Sequence, residues 1–210
     1  MKAKTLFDSD ITLEEAQVLI KNGADLNEKD NIGCTPLLYI MNSRTEKNIE
    51  IAKLFINHGA DVNAKNKYGS SLFFYADDLL MVDLLIAHGA DVNAKDNDLN
   101  SPLHVSDLKK TRLLISYGAD INQRNRYGDT PFDLAKYAEI ATYLIEHGGI
   151  AGKIDSYIEN KHFFSDEQQK AFDMFITITN NDDDFFQMCL AYQEGHKNNI
   201  NIGITDIDLI

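Results

Sequence analysis

The chain has 210 residues, 44% hydrophobic and 25% charged, the composition of a folded protein. No uninterrupted apolar run approaches the roughly 18 residues that span a bilayer, so no membrane partner is expected. The formal net charge of −13 opposes binding to DNA or RNA phosphates, which takes clustered Lys and Arg, and favours a basic protein partner instead.

Lys2 and Lys4 open the chain without a following apolar h-region, so no secretory signal is expected. Thr12-Leu13-Glu14-Glu15 reads as a capping box before an amphipathic helix ending near Asn22. Its polar residues Glu14, Glu15, Gln17 and Lys21 would face water, so residues 1–29 read as half a unit serving as a cap. Gly23-Ala24-Asp25 then begins a motif that returns at Gly59, Gly89 and Gly118, with a degenerate copy at Gly148-Gly149. Asn27, Asn63, Asn93 and Asn122 follow at a fixed offset, where a turn-stabilising role is expected. The intervals between copies are 36, 30 and 29 residues. Self-similarity at such a period marks stacked small units.

The units open on Gly33-Cys34-Thr35-Pro36-Leu37, Gly69-Ser70-Ser71-Leu72-Phe73 and Leu99-Asn100-Ser101-Pro102-Leu103-His104. The segment 42–48 lengthens the first interval, and Asp77-Asp78 and Ser106-Asp107 read as compact N-caps for second helices. Leu99 stands where the other openings have glycine. Leucine disfavours positive φ, so that turn is expected to take a different shape. In the fourth unit Gly128 supplies a tight turn, Thr130 is placed to N-cap a helix, and Pro131 falls at its first position. That helix is expected to end near Lys136 to Tyr137. A second, over 139–147, is apolar nearly all round and needs neighbours to cover it.

Turn, Thr-Pro-Leu-His, helix, helix, Gly-Ala-Asp-Val-Asn: four such units in register resemble the ankyrin repeat over about residues 11–152. The resemblance implies an all-α solenoid of stacked helix–turn–helix units with projecting β-turn fingers, over 30–152. It implies a protein-binding module rather than an enzyme, with contacts from finger tips and the exposed side of the first helices. Carried over by motif, the tips are Asn31, Ile32, Lys67, Tyr68, Asn97, Asp98, Arg126 and Tyr127, and the inner lining is Tyr39, Tyr75, Asp77, Asp78 and Asp107, with Leu99 a further expected contact because it breaks the pattern. Tyr68 and Tyr127 stand out, because an exposed ring adds little to a turn and Tyr often dominates interfaces. Stacking on the next finger is the competing reading.

Residues 153–210 match no family by inspection and carry 11 acidic against 4 basic side chains. A short helix is expected over 153–161, a second from the capping box Ser165-Asp166-Glu167-Gln168 through about Phe175, and a third from Asp182-Asp183-Asp184. The alternation at 200–204 reads as a strand, and self-association through it by edge pairing is an alternative reading.

Chemistry finds no foothold. Phosphate loops, zinc-protease helices and Gly-x-Ser-x-Gly elbows are missing from the sequence. His58, His88 and His147 each end a second helix, where contact with its C-terminus explains them without metal. Cys34 and Cys189 fit no metal or disulfide spacing and suit a reduced, cytoplasmic protein. No cofactor is expected. The favoured reading is a monomer, or a heterodimer with its partner, that binds and inhibits a basic protein, as an immunity protein neutralises a toxin. An effector engaging a host protein and a small C-terminal catalytic domain are the alternatives.

Overall fold

A computed structural model describes residues 5–8, 10–41 and 47–197. The expectations placed on residues 2 and 4, on most of the link 42–48, and on the strand at 200–204 lie outside the described residues. Among those described there are nine α-helices and no named strand, only an isolated antiparallel bridge between Lys65 and Ser71. The fold is all-α.

The chain divides into two compact units, Met1–Pro102 with Arg112–Ala119, and Leu103–Thr111 with Asp120–Ile210. In the first, α1 (Leu13–Lys21) opens on the expected capping box: Glu15 N donates to Thr12 Oγ1 at 3.2 Å, and Thr12 N donates to Glu15 Oε2 at 2.9 Å. α2 (Pro36–Met41) packs against α3 (Lys47–Asn57), which also meets α1 and α4 (Leu79–Ala87). Between them Leu37, Phe55, Leu72, Phe73, Val82 and Leu85 are almost completely buried. Each such side chain contributes about 1.5–3 kcal/mol through removal of apolar surface from water. Asp78 caps α4 by accepting from Leu80 N at 2.8 Å, as expected. α5 (Leu108–Ser116) spans the division between the units.

The first helices of the units are a correction. Only α2 is an α-helix. Its counterparts are single 3₁₀ turns at Leu72–Phe74 and Pro102–Val105, and residues 131–134 form turns alone. The shortened intervals explain this. Ser71 and Asp78 bracket one segment, Ser101 and Asp107 the next, Thr130 and Tyr137 the last. Once both ends are committed to turns and caps, one tight turn fits and two α-turns do not. Thr130 accordingly caps no helix. Its hydroxyl donates to Ile150 O at 2.8 Å, and its amide to Asp133 Oδ2 at 2.7 Å.

The second unit holds α6 (Ala138–Glu146), α7 (Ile154–Asn160), α8 (Asp166–Ile178) and α9 (Asp182–Lys197). The Ser165 capping box is present, and α8 runs three residues beyond its expected end. Tyr157, Phe164, Phe172 and Phe185 build an aromatic core, with Phe132 reaching it from the last repeat opening: Phe132–Phe164 centroids lie 5.3 Å apart and Tyr157–Phe172 5.4 Å. These edge-to-face pairs add roughly 0.5–1.5 kcal/mol each beyond area burial.

Candidate protein-binding surface

Each finger is a turn built by its first residue. The side-chain oxygen of Asp30 accepts from the amides of Ile32 and Cys34 at 2.9 and 2.8 Å, and Asn66 serves Tyr68 and Ser70 at 2.9 and 3.1 Å. Asp96 does the same for Asp98 and Asn100, and Asn125 for Tyr127 and Asp129. With the turn backbone thus committed, the second and third residues sit at the tip of each finger.

Successive fingers of the first unit are laddered. Lys67 N donates to Ile32 O at 3.0 Å, Asn97 N to Tyr68 O at 2.9 Å, and Asn97 Nδ2 to Lys67 O at 2.9 Å. A second ladder runs through the repeated asparagines. Asn27 Nδ2 donates to Gly59 O and Asn27 Oδ1 accepts from Asp61 N, at 3.0 and 2.8 Å, and Asn63 pairs in the same way with Gly89 and Asp91. In the second unit Asn122 joins Gly148 and Ile150 likewise. These asparagines therefore do more than steady their own turns: they bolt one repeat to the next.

In the first unit Ile32 and Tyr68, the third residues of their turns, are 39% and 57% exposed, and Leu99, the fourth residue of its turn, is 45% exposed. Asn31, Lys67 and Asn97 are also exposed and Asp98 is half-buried, though the Asn97 amide is engaged in the ladder. Lys67 Nζ lies 5.2 Å from the Tyr68 ring centroid. Among the described residues no ring pair includes Tyr68 or Tyr127, so stacking on a neighbouring finger does not account for either. The Leu99 finger corrects the expectation of a different shape. Its leucine adopts φ +62°, and its turn hydrogen bonds match those of the other fingers.

The inner positions are less uniform. Tyr39 packs edge-on against Phe7 with centroids 6.0 Å apart and stays partly exposed. The Tyr75 hydroxyl accepts from Asn66 Nδ2 at 2.7 Å, so this ring braces its own finger. Asp77, Asp78 and Asp107 are exposed; Asp78 caps α4, and Asp107 accepts from Lys110 N at 2.8 Å to cap α5. Sequence reading missed Val105 and Leu134, exposed by 49% and 38%. They hold the same place in their opening motifs as Tyr39 and Tyr75, and that register was the available signal. Exposed Tyr137 was missed as well.

In the second unit Arg126 and Tyr127 are exposed beside an open cleft of about 830 Å³ whose walls include Arg124, Lys153, Asp155 and Asp183. Arg124 pairs with Asp183 at 2.5 Å and lies over the Phe186 ring at 4.8 Å, and Lys153 pairs with Asp129. His58, His88 and His147 turn Nδ1 onto the carbonyls of Leu54, Leu84 and Tyr143 at 2.8, 2.8 and 2.7 Å, closing helix C-termini. Among the described residues no three His, Cys, Asp or Glu side chains gather as a metal site, and no helix is long and apolar enough to cross a membrane.

Residues 9–96 match the family model for ankyrin repeats, in three copies. No curated protein matches the chain.

Proposed function

Over residues 9–96 the chain is an ankyrin-repeat protein, an interaction module by family, and on that premise we propose that it binds a basic protein through its finger tips and acts without catalysis of its own. The observation that carries this reading is Tyr68: an aromatic side chain 57% exposed on a turn whose backbone is fixed from both sides. A large rigid side chain presented at little further entropic cost is what interface anchors require. The net charge of −13 supports a basic partner by steering encounter. Exposed Asp77, Asp78 and Asp107 add to that field.

The narrower reading is a stoichiometric inhibitor, a monomer that pairs with a basic protein as an immunity protein does with a toxin. Two free, buried cysteines suit the reducing cytoplasm for such a role. The test is capture on the immobilised full chain, with retained proteins identified by mass and the leading one purified for titration. Binding should weaken at least about tenfold in Tyr68→Ala, some 1.4 kcal/mol, and weaken again as salt rises from 0.05 to 0.5 M. Equal affinity of wild type and Tyr68→Ala would remove the finger tips from the reading. Salt-independent binding would remove the basic partner.

A further inference from the structure

We propose that the open backbone edge of the fourth finger is a second binding site, which takes an exposed Asp-Asn-x-Gly turn of another protein as a further rung of the ladder. Backbone groups and a cleft within the second unit carry it, independently of Tyr68. The repeat register runs on past the fourth finger. Asn122 holds Gly148 O and Ile150 N as Asn63 holds Gly89 O and Asp91 N. Each finger begins seven residues after a repeat glycine: Asp30 after Gly23, Asn66 after Gly59, Asp96 after Gly89 and Asn125 after Gly118. A fifth would begin at Asp155, but α7 already starts at Ile154. The fourth finger therefore borders the open cleft of about 830 Å³, which Lys153, Ile154 and Asp155 also line.

The second finger shows what such an edge takes. Fingers two and four share one pattern, Asn66-Lys67-Tyr68-Gly69 and Asn125-Arg126-Tyr127-Gly128. The third finger completes the second: Tyr68 O accepts from Asn97 N, Lys67 O accepts from Asn97 Nδ2, and Lys65 Nζ donates forward to Lys95 O at 2.8 Å. In the fourth, among the described residues, Tyr127 O accepts no hydrogen bond. Arg124, in the place of Lys65, turns back onto Gly128 O at 2.9 Å and onto Asp183. A Cβ built on Gly69 meets Asn97 N at 2.7 Å, whereas the nearest groups to one built on Gly128 are the ends of two long side chains, Arg124 Nη2 at 2.6 Å and Lys153 Cε at 3.5 Å. Such ends swing aside where backbone cannot. Water also screens the Arg124–Asp183 pair, because the Asp183 side chain is 77% exposed. The turn that fits is an Asp-Asn turn like that of the third finger. Its second amide donates to Tyr127 O, and Arg124 reaches forward to the carbonyl before it. Main-chain bonds of this kind give affinity when a segment is added to an open backbone edge.

The probe is a cyclic peptide containing Lys-Asp-Asn-Ile-Gly, the sequence of the first finger from Lys29 to Gly33. It is titrated into the isotope-labelled full chain while amide shifts are followed. Saturable shifts should centre on Tyr127, Gly128 and Lys153 to Asp155, with a Kd below about 1 mM. The same peptide with Pro in place of Asn keeps the turn, since Pro is favoured at that position, but has no N–H to donate. Its affinity should fall at least about tenfold. Asp183→Asn releases Arg124 and should tighten binding of the first peptide about twofold to fivefold. Equal binding of the two peptides, shifts centred elsewhere, or no saturable shift by about 5 mM overturns the proposal. Binding no tighter in Asp183→Asn overturns it as well, since the forward reach of Arg124 is then not made.

Discussion

Two glycines of the first unit separate the cost of backbone conformation from the cost of finger contact. Gly59 follows α3 at φ +94°, and a Cβ added there would meet nothing within 4 Å. Gly59→Ala should therefore cost only the left-handed penalty, about 1–2 kcal/mol. Gly69 has φ +76°, but its added Cβ would come within 2.5 Å of Asn97 Oδ1 and 2.7 Å of Asn97 N. The third finger must then retreat, and the bonds from Asn97 N to Tyr68 O and from Asn97 Nδ2 to Lys67 O are strained or lost. At about 0.5–1.5 kcal/mol for each bond, Gly69→Ala should cost about 2–5 kcal/mol in all. Urea unfolding of the full chain, followed by far-ultraviolet circular dichroism, compares the two. The Gly69→Ala transition should come earlier and be broader, because in stacked repeats a weakened interface reduces cooperativity. Coincident midpoints for the two variants would refute the laddered-finger account.

Asp133 gathers hydrogen bonds from Thr130 N, Gly152 N and Ser156 Oγ. Asp133→Ala removes the common acceptor and should cost the second unit about 2–4 kcal/mol, read as the urea midpoint followed by Phe and Tyr absorbance. Burial pushes this carboxyl above its usual 3.8, opposed by those donors. Just above pH 3.8 the folded chain thus keeps a proton the unfolded chain has released, and this group's contribution falls as pH rises through its folded value. The stability difference between wild type and Asp133→Ala should shrink across that window; a difference that grows there would contradict the assignment. Burial alone pushes the Cys189 thiol well above the ordinary range. A thiol-reactive reagent at pH 8 should therefore leave Cys189 unmodified until denaturant is added, and rapid labelling of the native chain would show that α9 does not bury it.

What could be read in the sequence was whatever repeats or acts locally. The Gly-Ala-Asp motif located the units, and the capping boxes at Thr12 and Ser165 fixed two helix starts to the residue, because a cap depends on neighbours three positions away. The finger turns were equally legible from their glycines. Failures came where a distant contact overrides local preference. Local rules count leucine at positive φ as unfavourable, so a deformed Leu99 finger was expected. Yet Asp96 accepts from Asp98 N and Asn100 N, Leu99 N closes the turn, and Asn97 is held to the preceding finger. Together these bonds hold leucine where only glycine is comfortable.

Asp133 shows the same limit from the other side. In Thr130-Pro131-Phe132-Asp133 it replaces the histidine of Thr-Pro-Leu-His, and as a sequence this reads as a lapse in the motif. His104, which keeps the motif, reaches forward to Asp129 O at 3.2 Å, 25 residues on. Asp133 reaches forward too, but to donors: Gly152 N and Ser156 Oγ, 19 and 23 residues away. Histidine offers a ring N–H to the carbonyl of a following finger, whereas a carboxylate offers acceptors to the amide and hydroxyl of a chain entering α7. The substitution therefore suits a position with no further finger to meet, and it converts the last repeat opening into an anchor for the C-terminal helices. Pattern-breaking residues thus divide into two kinds. Asp133 is half-buried and bonded through both carboxylate oxygens, and its departure serves the fold. Leu99 holds a left-handed φ of +62° where the other openings have glycine, and its side chain stays 45% exposed.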